Sequence, residues 1–107
     1  MNVFTRIIAD TLSLSESSVE NTLELLDENC TVPFISRYRK ERTGNLDEVQ
    51  VSDIALMREK LQDVAKRKET IISTIEDQGK MTDQLRQRIE NCWVMSELED
   101  IYLPYKP

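Results

Sequence analysis

An all-α fold is what this sequence predicts, with short N-terminal helices packed on one long helix of about 30 residues and two short helices after it. Three observations carry that expectation. Apolar residues recur at three- and four-residue steps, the mark of helices with one buried face. The span from Leu46 to Gln78 contains neither glycine nor proline, so nothing in it punctuates a helix. Among 107 residues there are two glycines and three prolines against 32% charged side chains, too few turn formers for a sandwich or barrel.

Taken in order, Phe4, Ile7, Ile8 and Leu12 line one face of a helix that Ser13 and Ser15 end. Ser17 and Glu20 have capping-box spacing, and Ser15 is an equally good cap. From either start, Val19, Leu23 and Leu26 make a second apolar face that runs to about Asn29. The serine-rich connection fits a helix-turn-helix-like unit and also an ordinary helical hairpin. Pro33 suits the first turn of a third helix, where its missing N–H would be unpaired anyway. Phe34, Ile35 and Tyr38 fall on one arc of that helix and are expected to face the core. Arg37 and Lys40 share a flank, and Arg39 lies well round from them. Arg42 would fall on the apolar arc, so the helix should end before it, with Thr43-Gly44-Asn45 as the turn. Residues 1–44 are thus expected to form a short-helix bundle.

Residues 46–78 read as the long helix. Ile54, Met57, Leu61, Val64, Ile71 and Ile75 follow a heptad pattern, with Lys68 in its one gap. At ~1.5 Å per residue this is a rod of about 48 Å. Such a rod runs along other helices or projects toward a partner, to which the Ile71/Ile75 end would offer an apolar surface. The run Lys66-Arg67-Lys68 reads as a solvated face, with Asp63 placed to pair with Arg67. Gly79 is a left-handed stop, with Lys80 near the carbonyl end of the dipole. Two short helices are expected over 82–103. Thr82 caps the first, whose face is Leu85, Ile89 and Cys92 with Trp93 beside it. Ser96 and Glu99 form a second capping box before Leu98 and Tyr102, and Pro104 ends the second. Trp93, Tyr102 and Tyr105 are expected to pack on helices rather than stack on bases.

No Gly-rich phosphate loop, nucleophile elbow or metal-ligand cluster occurs, and there is no histidine. Glu97 and Asp100 could share a magnesium ion through waters, but acids in a first helical turn are expected from the dipole alone. No catalytic residue, cofactor or metal is expected, and the chain does not read as an enzyme. Cys30 and Cys92 lack metal or redox spacing and are expected to stay reduced in a cytoplasmic protein. No segment reads as a signal peptide or membrane span.

A net charge of −6 argues against strong nucleic-acid binding by the whole surface. The local exception is PFISRYRKERTG, where Arg37, Arg39, Lys40 and Arg42 fall within six positions. These four are the candidates for contact with nucleic acid or a neighbouring domain. Alternatively, they pair with Asp27, Glu28, Glu41, Asp47 and Glu48, contacts worth ~0–1 kcal/mol each.

The strings TVPFISRYRKERTGNLDEVQ, EDQGKMTDQLRQRIENC and SELEDIYLPYKP resemble the N-terminal region of the Tex family of bacterial transcription accessory proteins, over roughly Val19 to Pro107. The resemblance implies a non-catalytic helical scaffold, the N-terminal fragment of a longer multidomain, nucleic-acid-binding protein. It implies binding of RNA rather than DNA, mainly through an S1 domain that this chain does not contain. The family motif falls on Pro33, Phe34, Ile35, Arg37, Tyr38, Arg39, Lys40, Glu41, Thr43 and Gly44. Family members often carry alanine where this chain has Ser36, and two glycines where it has Gly44-Asn45. They usually continue past YLPYKP into a basic stretch, and the shortened chain is expected to bind nucleic acid less well for lack of it. The alternative function is a protein–protein interaction module for a transcription-machinery partner, and a homodimer of the fragment is a further expected partner state.

Overall fold

The computed structural model describes residues 3–107, so the first two residues of the expected bundle lie outside the described residues. Among the described residues there are seven α-helices, one 3₁₀ turn and no strand. The chain divides into two compact units, one ending at Glu59 and the other spanning Lys60–Pro107.

In the first unit, α1 (Val3–Leu12) and α2 (Glu16–Asp27) are joined by a tight turn in which Ser13 takes a positive φ of 56°. Ser15, not Ser17, is the N-cap, its hydroxyl accepting from the Ser18 amide at 3.1 Å. The Ser17/Glu20 capping box is therefore not used. Helix α2 buries Val19, Thr22, Leu23 and Leu25, and Asn29 closes it in the left-handed region at φ 68°. Thr31 caps α3 (Val32–Tyr38), with Pro33 in the first turn as its fixed φ favours.

Helix α3 turns Ile35 (0% exposed) and Ser36 inward. Phe34 and Tyr38 face out, at 36% and 63% exposure, which corrects the expectation that they join the core. They do share one side, but in so short a helix the periodicity does not say which side is buried. Ser36 fits because it is small, and its hydroxyl donates to the Pro33 carbonyl at 3.1 Å. The chain leaves helical geometry at Arg39 and re-enters it for one turn, α4 (Lys40–Thr43). Gly44 and Asn45 then sit at φ 74° and 68°. Asparagine tolerates this region better than most side chains.

Helix α5 (Glu48–Asp77) runs 30 residues without a break. Its start is a reciprocal cap that the sequence reading missed. The Gln50 amide donates to Asp47 Oδ1 at 2.8 Å, and the Asp47 amide donates to Gln50 Oε1 at 3.0 Å. In the first unit α5 buries Val51 and Ile54, and that unit's core also holds Ile8, Val19, Leu25, Ile35 and Leu46.

The second unit packs Val64, Ile71 and Ile75 of α5 against α6 (Asp83–Glu90) and α7 (Met95–Tyr102). Ile71 and Ile75 are 0% exposed, so they supply core and not the free apolar end expected for a partner. Gly79 ends α5 at φ 69°, and Thr82 caps α6, both as the sequence predicts. Helix α7 starts two residues earlier than expected, at Met95 after Val94, without a side-chain cap. The Ser96/Glu99 box does not form because Glu99 is engaged elsewhere. A 3₁₀ turn, Leu103–Tyr105, carries Pro104.

Candidate nucleic-acid interface

The four cations of the basic segment divide into two whose side chains have partners and two whose side chains are free. Arg42 Nη2 bonds Glu24 at 3.2 Å, while its carbonyl accepts from Asn21 Nδ2 at 2.9 Å. Both contacts tie α4 to α2. Arg39 Nη1 donates to the Tyr38 carbonyl at 2.9 Å, and its guanidinium lies 4.7 Å from the centre of the Phe34 ring. Arg37 and Lys40 are exposed and, among the described residues, their side chains have no hydrogen-bond or ion-pair partner. None of the expected carboxylates takes them up. Asp27 pairs instead with Arg58. The shared flank foreseen for Arg37 and Lys40 assumed one continuous helix, and the break at Arg39 removes that assumption.

A second polar cluster lies in the second unit, where a solvated face was expected. Lys68 is only 6% exposed. Its ammonium donates to the Glu90 carbonyl at 2.7 Å and sits 3.3 Å from the centre of the Trp93 ring. Desolvation holds its pKa below the usual lysine value, against the weaker opposing pull of Cys92 and Glu90. Arg67 pairs with Glu99, not Asp63, through two bonds of 2.7 and 2.9 Å, and its guanidinium lies 5.2 Å from the Tyr102 ring centre. That fork-to-fork hydrogen bonding raises the Arg67 pKa and lowers that of Glu99. The usable signal was the position of Lys68 inside an otherwise apolar heptad seam.

Glu97 and Asp100 line a shallow surface depression of about 460 Å³ with Arg88 and Asn91. Among the described residues, no group of three or more His, Cys, Asp or Glu is placed to hold a metal ion. No helix of the described residues is long and apolar enough to cross a membrane. Cys30 and Cys92 are both free thiols.

The profile of the Tex-like protein N-terminal domain matches residues 2–76. The chain belongs to the Tex family. It is 46% identical over all 107 residues to the transcriptional accessory protein Tex of Neisseria gonorrhoeae, spanning 14% of that protein. Over 104 residues, 97% of the chain, it is 44% identical to protein YhgF of Escherichia coli, again 14% of the relative's length. Over 101 residues, 94% of the chain, it is 33% identical to the human S1 RNA-binding domain-containing protein 1, covering 10% of that protein. This Tex N-terminal region therefore spans a small fraction of its relatives' lengths. Within it, α3, α4 and the Gly44 turn bury Ile35 and Thr43 and leave Arg37, Tyr38 and Lys40 outside.

Proposed function

We propose that this chain is the non-catalytic helical scaffold of a nucleic-acid-associated, cytoplasmic transcription accessory protein, and that Arg37 and Lys40 of its basic segment touch RNA phosphates. The observation that carries the reading is that these two cations have exposed, unpaired side chains, while Arg42 pairs with Glu24 and Arg39 is held by the neighbouring Tyr38 carbonyl and the Phe34 ring. The human relative's being named an S1 RNA-binding domain-containing protein supports RNA as the ligand. In this reading the principal RNA-binding domain lies outside these residues, and the surface here adds a few contacts.

The test is a titration of labelled single-stranded RNA at low and moderate salt. Each neutralised phosphate of a single strand contributes a slope of about −0.7 in log K against log salt. Arg37→Ala with Lys40→Ala should flatten that slope by about 1.4. Salt-insensitive or absent binding, unchanged in the double variant, would leave the scaffold alone.

A protein-interaction role is the second reading. It is favoured by Val49 and Leu56, 68% and 54% exposed and seven residues apart on α5, where two apolar side chains share a face. Light scattering checks whether that stripe makes the 107-residue chain a dimer. Loss of the dimer in Leu56→Lys would locate the contact.

A further inference from the structure

Tyr38 is a large aromatic side chain left 63% exposed on a helix that already buries Ile35 and Ser36. Its ring centre lies 5.5 Å from that of Phe34 at an interplanar angle of 48°. Arg39 lies over the Phe34 ring at 4.7 Å, and its guanidinium is held by the bond to the Tyr38 carbonyl. Three flat π-surfaces are thus assembled before any ligand arrives, which lowers the ordering cost of binding. Free cations stand on both sides in sequence, Arg37 before Tyr38 and Lys40 after Arg39. Residues 33–46 carry four cations and one carboxylate, Glu41, in a chain that is acidic overall.

We propose that Tyr38 and Arg39, backed by Phe34, form a stacking platform for an unpaired nucleobase, with Arg37 and Lys40 on the adjoining phosphates. The ligand class is single-stranded nucleic acid. This rests on the RNA reading of the basic segment and adds what that reading does not contain, a base-dependent contact. Aromatic rings stack on any base face, and a duplex hides those faces. The site therefore discriminates strandedness, not sequence. The local cations favour a polyanion over a protein segment as occupant, since a neutral helix would leave Arg37 and Lys40 unmatched.

The experiment measures anisotropy of a labelled short oligouridine, an abasic strand of equal length and a hairpin duplex. Wild type, Tyr38→Ala, Tyr38→Phe and the Arg37→Ala/Lys40→Ala variant are compared, with circular dichroism confirming that each is folded. Tyr38→Ala should weaken oligouridine binding roughly 5- to 150-fold, the equivalent of about 1–3 kcal/mol per stacked base. Its salt slope should not change, and Tyr38→Phe should retain affinity. The abasic strand and the duplex should bind wild type as weakly as oligouridine binds Tyr38→Ala. Equal affinity for abasic and base-bearing strands, or a silent Tyr38→Ala beside a weakened Arg37→Ala/Lys40→Ala, overturns the platform and leaves the phosphate contacts standing. Failure of wild type to bind any strand overturns both.

Discussion

Truncation of Lys68 gives the sharpest test of how the second unit is held together. Lys68→Ala removes a charged hydrogen bond to the Glu90 carbonyl, worth about 1.5–3 kcal/mol. It removes a desolvated cation–π contact with Trp93, worth about 2 kcal/mol. It also strips about three buried methylenes, at ~0.8 kcal/mol each. Relief of the buried charge opposes these losses by several kcal/mol. The balance is a net cost of about 3 kcal/mol. Lys68→Met keeps the stem and gains the same relief, so it should cost only about 1 kcal/mol. A solvated lysine would give values within ~0.5 kcal/mol of wild type for both.

Trp93 is the single tryptophan, so urea unfolding followed by its fluorescence reads the second unit directly. A Lys68→Ala midpoint equal to wild type would refute the buried-staple account. A double-mutant cycle with Trp93→Leu, followed by circular dichroism, should give a coupling of about 1–2 kcal/mol. The pH dependence has a definite sign. The folded pKa of Lys68 lies below the ordinary 10.5, so between the two values the unfolded chain binds more protons. Stability contributed by this group therefore rises with pH through that window and falls back as pH drops through the folded value. Lys68→Met should abolish that component.

Glu99→Gln should cost about 1 kcal/mol, because its fork with Arg67 is well formed but a third exposed. Glu99 titrates below its ordinary 4.5, so its contribution is complete above that value and is lost as pH falls through the lowered one. The Gln variant should accordingly show a flatter acid limb in unfolding titrations. Ser15→Ala should destabilise by about 1 kcal/mol and Ser17→Ala by no more than a few tenths, as read by thermal melts. Gly79→Ala meets open space and bears only the left-handed strain of about 1 kcal/mol. Gly44→Ala adds a Cβ 3.0 Å from Ser18 Oγ, itself hydrogen-bonded to Ser15 Oγ, and should cost about 2 kcal/mol.

Local punctuation was the legible layer. The Gly- and Pro-free span gave α5, Thr82 and Gly79 gave their caps, and Pro33 gave the start of α3, because each acts on its own few residues. Choices made between distant residues were not legible. Glu99 has the spacing of a cap yet goes to Arg67, 32 positions earlier in the chain. Lys68 looked solvated because its partners, Glu90 and Trp93, belong to another helix and the loop after it. At the candidate interface, the four cations were found by composition. Their division into two committed and two free depends on Glu24 and on the break at Arg39, which no local pattern announces.

That division makes folding and binding separable within fourteen residues, 33–46. Ile35, Ser36, Thr43 and Leu46 are buried, and Arg42 ties α4 to α2. Tyr38, Arg37 and Lys40 add little to the interior, so replacing any of them with alanine should shift stability by less than ~0.5 kcal/mol. Ile35→Ala should instead cost about 2–5 kcal/mol by opening a cavity at a fully buried site. Urea midpoints measured beside RNA affinities would show two groups, one losing stability and the other losing affinity. If the Tyr38, Arg37 and Lys40 variants lost stability in proportion to affinity, the exposed half of the motif would be structural, and its chemistry would have to be sought in the packing of α3.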